Sequence, residues 1–342
     1  MTYKFCTFFD KKYIFQGLAL YYSLEHHSAD FKLWILCMDD ATYDLLKKLS
    51  LPSAVLVRLS EFEDERLLAV KHEIGRNYFG TVKTSFIWYL LARNPDIDVL
   101  TYVDSDIFFF VSPSYFLDSF IRNPTENVLI VPHRYTFNRK YYEVRNGIYN
   151  AGVAVFKNTA VGFACANEWR EQCLKYCVNV VGPNPYGDQH YMDHWPTTYS
   201  GTVVFGGKGA NTAPWNVGQY DVHLRNGSCY IDEDPLIFYH FSLLRIYGPH
   251  SFHWFDYSQK RHITRETKRF IYQPYIRELE AVMTKVLNID TRFTPSYQKK
   301  PKYWTNLYYN IKFDIVQIHL YLKKRFPRYS RVFYSLKNLT DQ

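Results

Sequence analysis

Apolar runs of strand length alternate with amphipathic segments of helix length through the first half of this chain, and this alternation constrains its fold most. The runs "YKFCTFF", "KLWILCMD" and "AVLVRL" predict three strands. The segments between them, "GLALYYSLEHH" and "ATYDLLKKL", place apolar residues at helical spacing. Strands that alternate with helices favour a parallel sheet, so we expect a doubly wound α/β fold.

The same pattern continues into the middle of the chain. Helices are expected at 81–93 and 161–178, and further strands in "DVLTYVDSDIFFF", "NVLIVPH" and "GVAVFKN". From 183 to 255 the sequence becomes rich in Gly, Pro, Trp and His, with short strand-like pieces such as "GTVVFG" and "LIFYHF". This change of composition indicates loops that face a substrate.

The composition is that of a globular protein. The 342 residues are 47% hydrophobic and 22% charged, which suits one large α/β domain with an appendage. The N-terminal segment lacks an apolar signal core, and no run of about 20 apolar residues suggests a membrane span. The six cysteines form no zinc-like pair, and Cys173 and Cys177 are read as core thiols. We therefore expect a reducing, cytoplasmic environment.

The net charge of +8 is confined to the C-terminal end. Ten of the 41 Lys and Arg but two of the 33 Asp and Glu lie from Lys299 onward, which leaves 31 of each sign in residues 1–298. After an expected linker, "NIDTRFTPSYQKKP", residues 299–342 predict a basic amphipathic helical extension. Such a helix can lie on an anionic bilayer, or it can pack on the domain with a solvated basic face. No recognition motif supports nucleic-acid binding.

Two carboxylates, Asp104 and Asp106, follow a buried apolar strand in "YVDSDIFFF". Ligands of open α/β sheets bind at the carboxyl ends of the strands, so both side chains are expected in that crevice. Two like charges held close together repel each other, and a divalent cation removes this cost. Mg²⁺ and Mn²⁺ take oxygen ligands and keep positions open for phosphate oxygens. A surface turn rich in Asp is the alternative reading.

Three later segments support the metal reading. "YNAGVAVFKN" places Asn150 to Gly152 just before a strand, and "YGDQHYMDHWP" places Asp188 and Gln189 in a loop before a helix. "FYHF" ends an apolar strand at His240, a suitable third ligand beside two carboxylates. Each segment alone is a weak signal, because a single His is more often structural, but their order is specific.

In this order the segments resemble the GT-A-fold glycosyltransferases of glycosyltransferase family 8, such as bacterial lipopolysaccharide galactosyltransferases and glycogenin. The resemblance covers roughly residues 3–255, and it is closest to bacterial glycosyltransferases associated with surface polysaccharides. The sequence departs from the family at Ser242, where a Gly is usual, and it lacks the Lys-Pro-Trp that follows. Lys208 or Arg245 is a possible replacement for that lysine.

The resemblance implies that residues 1–290 form a GT-A catalytic domain with a doubly wound mixed sheet. It implies transfer of a sugar, with retained configuration, from a nucleoside diphosphate donor such as a UDP-sugar to a saccharide or lipid-linked acceptor. The cofactor would be Mn²⁺ or Mg²⁺. With the basic extension, this suggests a cytoplasmic protein that is peripheral on the inner face of the plasma membrane.

Site residues follow from the resemblance and from neighbouring positions. The expected metal ligands are Asp104, Asp106 and His240. The expected donor-binding residues are Thr7, Phe8, Asp10, Tyr13, Lys83, Asp104, Ser105, Asn150, Ala151 and Gly152. The expected catalytic residues are Asp188 and Gln189. The expected acceptor-binding residues are His190, Asp193 and Trp215. Trp195 and Trp254 are further candidates for stacking on a sugar, although tryptophans are more often buried.

Two other functions use the same residues. A haloacid-dehalogenase-like phosphohydrolase or phosphotransferase also carries an Asp-x-Asp after a strand, but its Thr shortly after the pair is absent from "DSDIFFF". A non-catalytic protein that binds nucleotide sugars is the second alternative. Hydrolysis of a generic phosphate ester would favour the first, and Mn²⁺-dependent turnover of a nucleotide sugar would exclude the second.

Overall fold

A seven-stranded sheet forms the centre of the molecule in the part of the chain that is described. The computed structural model describes residues 1–28, 30–74, 78–140, 142–177, 187–254 and 263–300. The strands of the central sheet are β1 (Tyr3–Phe9), β2 (Phe31–Cys37), β3 (Ala54–Arg58), β4 (Val99–Val103), β6 (Val128–Pro132), β7 (Tyr149–Lys157) and β8 (Thr202–Val204). Their order is β3-β2-β1-β4-β7-β6-β8. β7 is antiparallel to both of its neighbours, and the remaining pairings are parallel.

Helices cover both faces of this sheet, as a doubly wound fold requires. The helices are α1 (Ile14–His27), α2 (Asp40–Leu49), α3 (Leu59–Phe62), α4 (Glu65–Ile74), α5 (Tyr78–Arg93), α6 (Ser114–Arg122), α7 (Tyr142–Asn146), α8 (Ala160–Lys175), α9 (Trp195–Thr198), α10 (Arg265–Thr267) and α11 (Gln273–Ile289). Successive strand side chains alternate between two cores: Phe5 packs with α1, and Cys6 packs with α5 and α8. The expected fold class is therefore confirmed.

The reversed direction of β7 decides which residues meet at the sheet edge. The register pairs Val103, the last residue of β4, with Val153 of β7. The first residues of β7 therefore lie at the same edge as the last residues of β4 and β1. Asn150, Ala151 and Gly152, which we expected just before a strand, lie inside β7, because the ladder continues to a pair between Tyr149 and Pro132.

Short strands extend the molecule beyond this edge. They are β5 (Ile107–Phe109), β9 (Val222–Arg225), β10 (Ser228–Ile231), β11 (Asp234–Pro235), β12 (Phe238–His240), β13 (Arg245–Gly248) and β14 (Ser251–His253). β5 pairs with β12, β9 to β11 form a small sheet, and β13 pairs with β14. The region expected to consist of substrate-facing loops thus contains ordered hairpins as well as loops.

The segment that the sequence suggests as a linker packs on the domain. Phe293 and Tyr297 contact the ring of Phe15 in α1, and the Ser296 hydroxyl donates a hydrogen bond to the carbonyl of Lys11 at 2.7 Å. Phe293 is buried. The apolar residues of this stretch therefore cover α1. The basic extension from 301 onward lies outside the described residues.

No helix within the described ranges is both long and apolar enough to cross a bilayer. The expected core thiols are confirmed, because Cys173 and Cys177 are free and buried.

Candidate active site

The turn after β4 brings the two aspartates to the sheet edge. The Asp104 N–H donates to the Gly152 carbonyl of β7 at 2.8 Å, and the Ile107 N–H closes the turn on the Asp104 carbonyl at 3.1 Å. β5 then pairs with β12, which places His240 opposite Ile107. The N–H after His240, that of Phe241, donates to the Asp106 carbonyl at 2.8 Å. Backbone pairing therefore fixes all three expected metal ligands in one place.

Asp104, Asp106 and His240 form a group that fits a divalent cation. His240 Nε2 lies 3.1 Å from Asp106 Oδ1 and 3.9 Å from Asp104 Oδ2, and the ligand atoms of the three residues all lie within 4.8 Å of one another. Burial acts to lower the pKa of His240, but Asp106 and Asp104 outweigh it and raise this pKa. Burial likewise acts to raise the pKa of Asp106, and His240 outweighs it and lowers this pKa. Two carboxylates and an imidazole are a donor set that Mn²⁺ accepts.

Gly152 makes room for this group. A Cβ at that position would lie 2.7 Å from His240 Cε1 and 2.7 Å from Asn150 Oδ1. Contacts this short do not occur, so a side chain at this position would displace the imidazole. The Gly of "NAG" is therefore explained by the close approach of β7 to His240.

Lys83 joins Asp104 to the candidate catalytic residue Asp188. Its Nζ lies 2.8 Å from Asp188 Oδ2 and 3.5 Å from Asp104 Oδ1, and it donates to the Ala151 carbonyl at 3.1 Å. Burial acts to lower its pKa, but the two carboxylates outweigh burial and raise the pKa above its ordinary value. We expected Lys83 at a helix start, but it lies more than one turn inside α5 and is buried.

Asp188 and Gln189 begin a 3₁₀ helix, Asp188–His194, where the sequence suggested a loop. The indole N–H of Trp169 donates to the Asp188 carbonyl at 2.8 Å, which ties this helix to α8. His190 and Asp193 lie on the same short helix. The Asp193 carboxylate accepts a hydrogen bond from the Ile148 N–H at 2.7 Å. Asp193 therefore holds the chain that leads into β7.

Sequence reasoning missed His133, which supports Asn150. Its Nε2 lies 3.1 Å from the Asn150 side-chain nitrogen, and its Nδ1 lies 3.3 Å from the Ile148 carbonyl. Burial lowers the pKa of His133 to about 3, so the ring is neutral and can accept from Asn150. The indole of Trp215 donates to the His133 carbonyl at 2.9 Å and meets the His240 ring edge-on at 5.2 Å. A lone His in "VPHRY" gave no signal of this role.

The expected donor-binding residues of β1 lie beside the aspartates. Phe8 stacks on Phe79 with ring centroids 6.2 Å apart, and Phe79 is 47% exposed and was not identified from the sequence. Thr7 is buried, and its hydroxyl has no hydrogen-bond partner among the described residues. Burial is the largest cause that raises the pKa of Tyr13, and the charges of Asp106 and Asp10 raise this pKa further.

Other residues considered from the sequence have structural partners. Trp195 is buried against Trp169, with ring centroids 5.0 Å apart, so it is not available to stack on a sugar. Trp254 stacks on Tyr272 at 5.7 Å. Lys208 Nζ lies 2.6 Å from Asp232 Oδ2. Arg245 lies in β13, five residues after His240, with its side chain exposed.

The strand order of the sheet and the carboxylates of Asp104 and Asp106 at its edge, which we call the acidic edge, define this molecule as a GT-A-fold protein. The galactosyltransferase LgtC, in a structure with donor and acceptor sugar analogues, matches it with a TM-score of 0.50 at 13% identity, over 89% of this chain and 99% of LgtC. YfnD of Bacillus subtilis (strain 168) is 33% identical over 282 residues, which are 82% of this chain and 89% of YfnD. YfnF of the same organism is 31% identical over 304 residues, 86% of this chain and 97% of YfnF. The chain belongs to the family of these two uncharacterized proteins. No protein-family model matches the sequence.

Proposed function

We propose that this protein is a glycosyltransferase of the family 8 type that transfers a sugar from a UDP-sugar to a saccharide or lipid-linked acceptor in surface polysaccharide synthesis. The observation that supports it best is the Asp104–Asp106–His240 group at the ligand-binding edge of a GT-A sheet. The fold match is to a protein named as a galactosyltransferase. Mn²⁺ or Mg²⁺ held by these three residues would act as a Lewis acid on the donor diphosphate.

The donor would lie along the edge formed by β1, β4 and β7. The aromatic rings of Phe8 and Phe79 offer a surface for the base, and Asp10 and Tyr13 offer hydrogen bonds to the nucleoside. Ser105 and the first residues of β7, Asn150 to Gly152, would face the diphosphate and the sugar. Lys83 is already occupied by two carboxylates, so we assign it to charge compensation rather than to direct phosphate binding.

The basic residue that faces the departing diphosphate is proposed to be Arg245. The alternative, Lys208, is engaged by Asp232 at 2.6 Å. Arg245 is exposed and lies at the start of β13, five residues after His240. A guanidinium binds phosphate oxygens through two parallel hydrogen bonds.

The transfer step is proposed to follow a front-side route with retention. The Gln189 amide is a poor nucleophile, and the Asp188 carboxylate is held by Lys83 at 2.8 Å. The acceptor hydroxyl would therefore bond directly to the anomeric carbon while the bond from that carbon to the diphosphate oxygen breaks. The departing phosphate takes the hydroxyl proton, so the step needs no protein nucleophile. His190, Asp193 and Trp215 would contact the acceptor.

Metal-dependent binding of UDP tests the proposal. We expect UDP at 100 times its Kd to stabilise the protein by about 2.7 kcal/mol in the presence of Mn²⁺. Asp106→Asn should abolish this shift, and Asp221→Asn, which changes a carboxylate with 76% exposure, should retain it. The measurement is the thermal midpoint with and without Mn²⁺, followed by UDP release from a panel of UDP-sugars.

The outcomes separate the three candidate functions. Release of UDP from a UDP-sugar in the wild type supports a transferase. Release of phosphate from a simple ester without UDP formation would indicate a phosphohydrolase. A Mn²⁺-dependent shift without turnover of any nucleotide sugar would indicate a binding protein. An equal shift in Asp106→Asn and wild type would contradict the assigned metal site.

A further inference from the structure

A buried tyrosine lies behind the candidate metal ligands. Tyr275 is in the first turn of α11, directly after a π-helical turn over Lys268–Tyr272. Such turns occur frequently at functional sites. The Tyr275 side chain is fully buried, and its hydroxyl has no hydrogen-bond partner among the described residues. A buried hydroxyl without a hydrogen-bond partner destabilises the folded protein. Its presence at this position therefore indicates a functional reason.

The Tyr275 ring packs on the two backbone segments that carry the ligands. It stacks on Phe241 with centroids 3.8 Å apart and planes 16° apart, and it meets Phe108 at 5.3 Å in an edge-to-face contact. Phe241 directly follows His240, and Phe108 lies two residues after Asp106. Tyr275 is thus fixed in position relative to both ligands.

The residue on which Tyr275 stacks is hydrogen-bonded to Asp106, because the Phe241 N–H donates to the Asp106 carbonyl at 2.8 Å. Burial raises the pKa of Tyr275, and the charge of Asp106 raises it further. The hydroxyl is therefore protonated at neutral pH and is available as a donor. Metal-binding carboxylates are commonly held by donors of this kind, and their loss typically lowers metal affinity by about 10-fold to 100-fold.

We propose that Tyr275 is a positioning residue for the cation site, and that its hydroxyl donates a hydrogen bond, directly or through one water, to the Asp106 carboxylate when the ion is bound. The inference rests on the proposed function, because it requires an ion held by Asp104, Asp106 and His240. Tyr275 lies in α11, outside the segments that carry the sequence motifs, and would be an additional residue that supports the cation site.

Tyr275→Phe tests the inference, with Tyr272→Phe as the matched control. Tyr272 is in the adjoining helical turn and equally buried, but its hydroxyl lies 3.4 Å from that of Tyr239. Mn²⁺ affinity, with and without UDP, is measured by electron paramagnetic resonance of free Mn²⁺. We expect Tyr275→Phe to weaken Mn²⁺ binding by about 10-fold or more and Tyr272→Phe to change it less than about 2-fold. The thermal midpoint of the metal-free Tyr275→Phe protein should not fall.

Tyr275→Phe itself separates hydrogen bonding from packing, since it removes the hydroxyl and keeps the ring that stacks on Phe241. If Tyr272→Phe weakens Mn²⁺ binding as much as Tyr275→Phe, the effect is not specific to the Tyr275 hydroxyl and the inference is wrong. Unchanged Mn²⁺ affinity in Tyr275→Phe also overturns it, while the proposed function stands. A wild-type protein that binds no Mn²⁺ with or without UDP overturns the proposed function itself.

Discussion

Single side chains in this site are organised by charge compensation. Asp104 accepts a hydrogen bond from the Tyr102 hydroxyl at 2.5 Å and faces Lys83, while Asp106 faces His240. Each carboxylate therefore has its own partner. His133 is the exception in this region, because it is buried as a neutral ring.

The buried neutral His133 predicts a loss of stability in acid. Its pKa is about 6.5 in the unfolded chain and about 3 in the folded protein. The unfolded state therefore binds more protons between these values, and stability falls as pH decreases from 6.5 towards 3. Between pH 8 and pH 5 we expect this residue to cost about 2 kcal/mol of unfolding free energy. Urea unfolding across this range measures it.

His133→Gln provides the comparison, since Gln can still accept a hydrogen bond from Asn150 but does not titrate. The difference in unfolding free energy between wild type and variant should be constant above pH 7 and should shift in favour of the variant below pH 6. Parallel pH profiles of the two proteins down to pH 4 would show that His133 is not buried in the neutral form.

Secondary-structure elements explain which parts of the site the sequence could reveal. The alternation of strands and helices identified the central sheet, and the polar residues after β4 marked its ligand-binding edge. The contacts of Lys83 could not be predicted, because they join α5 to residues 21 and 105 positions later in the chain. The reversed pairing of β7, which places Gly152 against His240, is likewise a property of the sheet topology. Local sequence patterns predict neither the contacts of Lys83 nor the direction of β7.

Lys83 is predicted to hold three elements together. It connects α5 to the end of β4 and to the 3₁₀ helix at Asp188. Because Lys83 is buried, Lys83→Met leaves two carboxylates without their cation and should destabilise the protein by about 3–5 kcal/mol. The double variant Lys83→Met with Asp188→Asn should recover part of this loss, since it removes one unpaired charge. Chemical denaturation of the metal-free proteins measures both.

The exposed pair formed by Lys208 and Asp232 is the control for this prediction. Lys208 has 47% of its side chain exposed, so Lys208→Met should be much less destabilising than Lys83→Met. If Lys83→Met is no more destabilising than Lys208→Met, the buried network does not hold these elements together. A double variant less stable than Lys83→Met alone would show that Asp188 has another stabilising partner.

The molecule as a whole combines an electrically balanced body with a basic end. Residues 1–298 carry equal numbers of acidic and basic side chains, so the excess positive charge belongs to residues 299–342. A balanced body offers no general attraction to a membrane. We therefore expect an electrostatic contact with an anionic membrane to come from the C-terminal extension, whose structure lies almost entirely outside the described residues.

Removal of residues 299–342 is predicted to reduce binding to anionic vesicles and to leave the thermal midpoint of the body nearly unchanged. Each basic side chain near an anionic surface contributes about 1 kcal/mol, so replacing Lys323, Lys324 and Arg325 by Gln should weaken binding by about 100-fold. Sedimentation with vesicles of phosphatidylglycerol and phosphatidylcholine measures this, and pure phosphatidylcholine vesicles are the control. Equal binding by the full chain and the truncated chain would rule out attachment through this extension, because the balanced body would then carry the affinity.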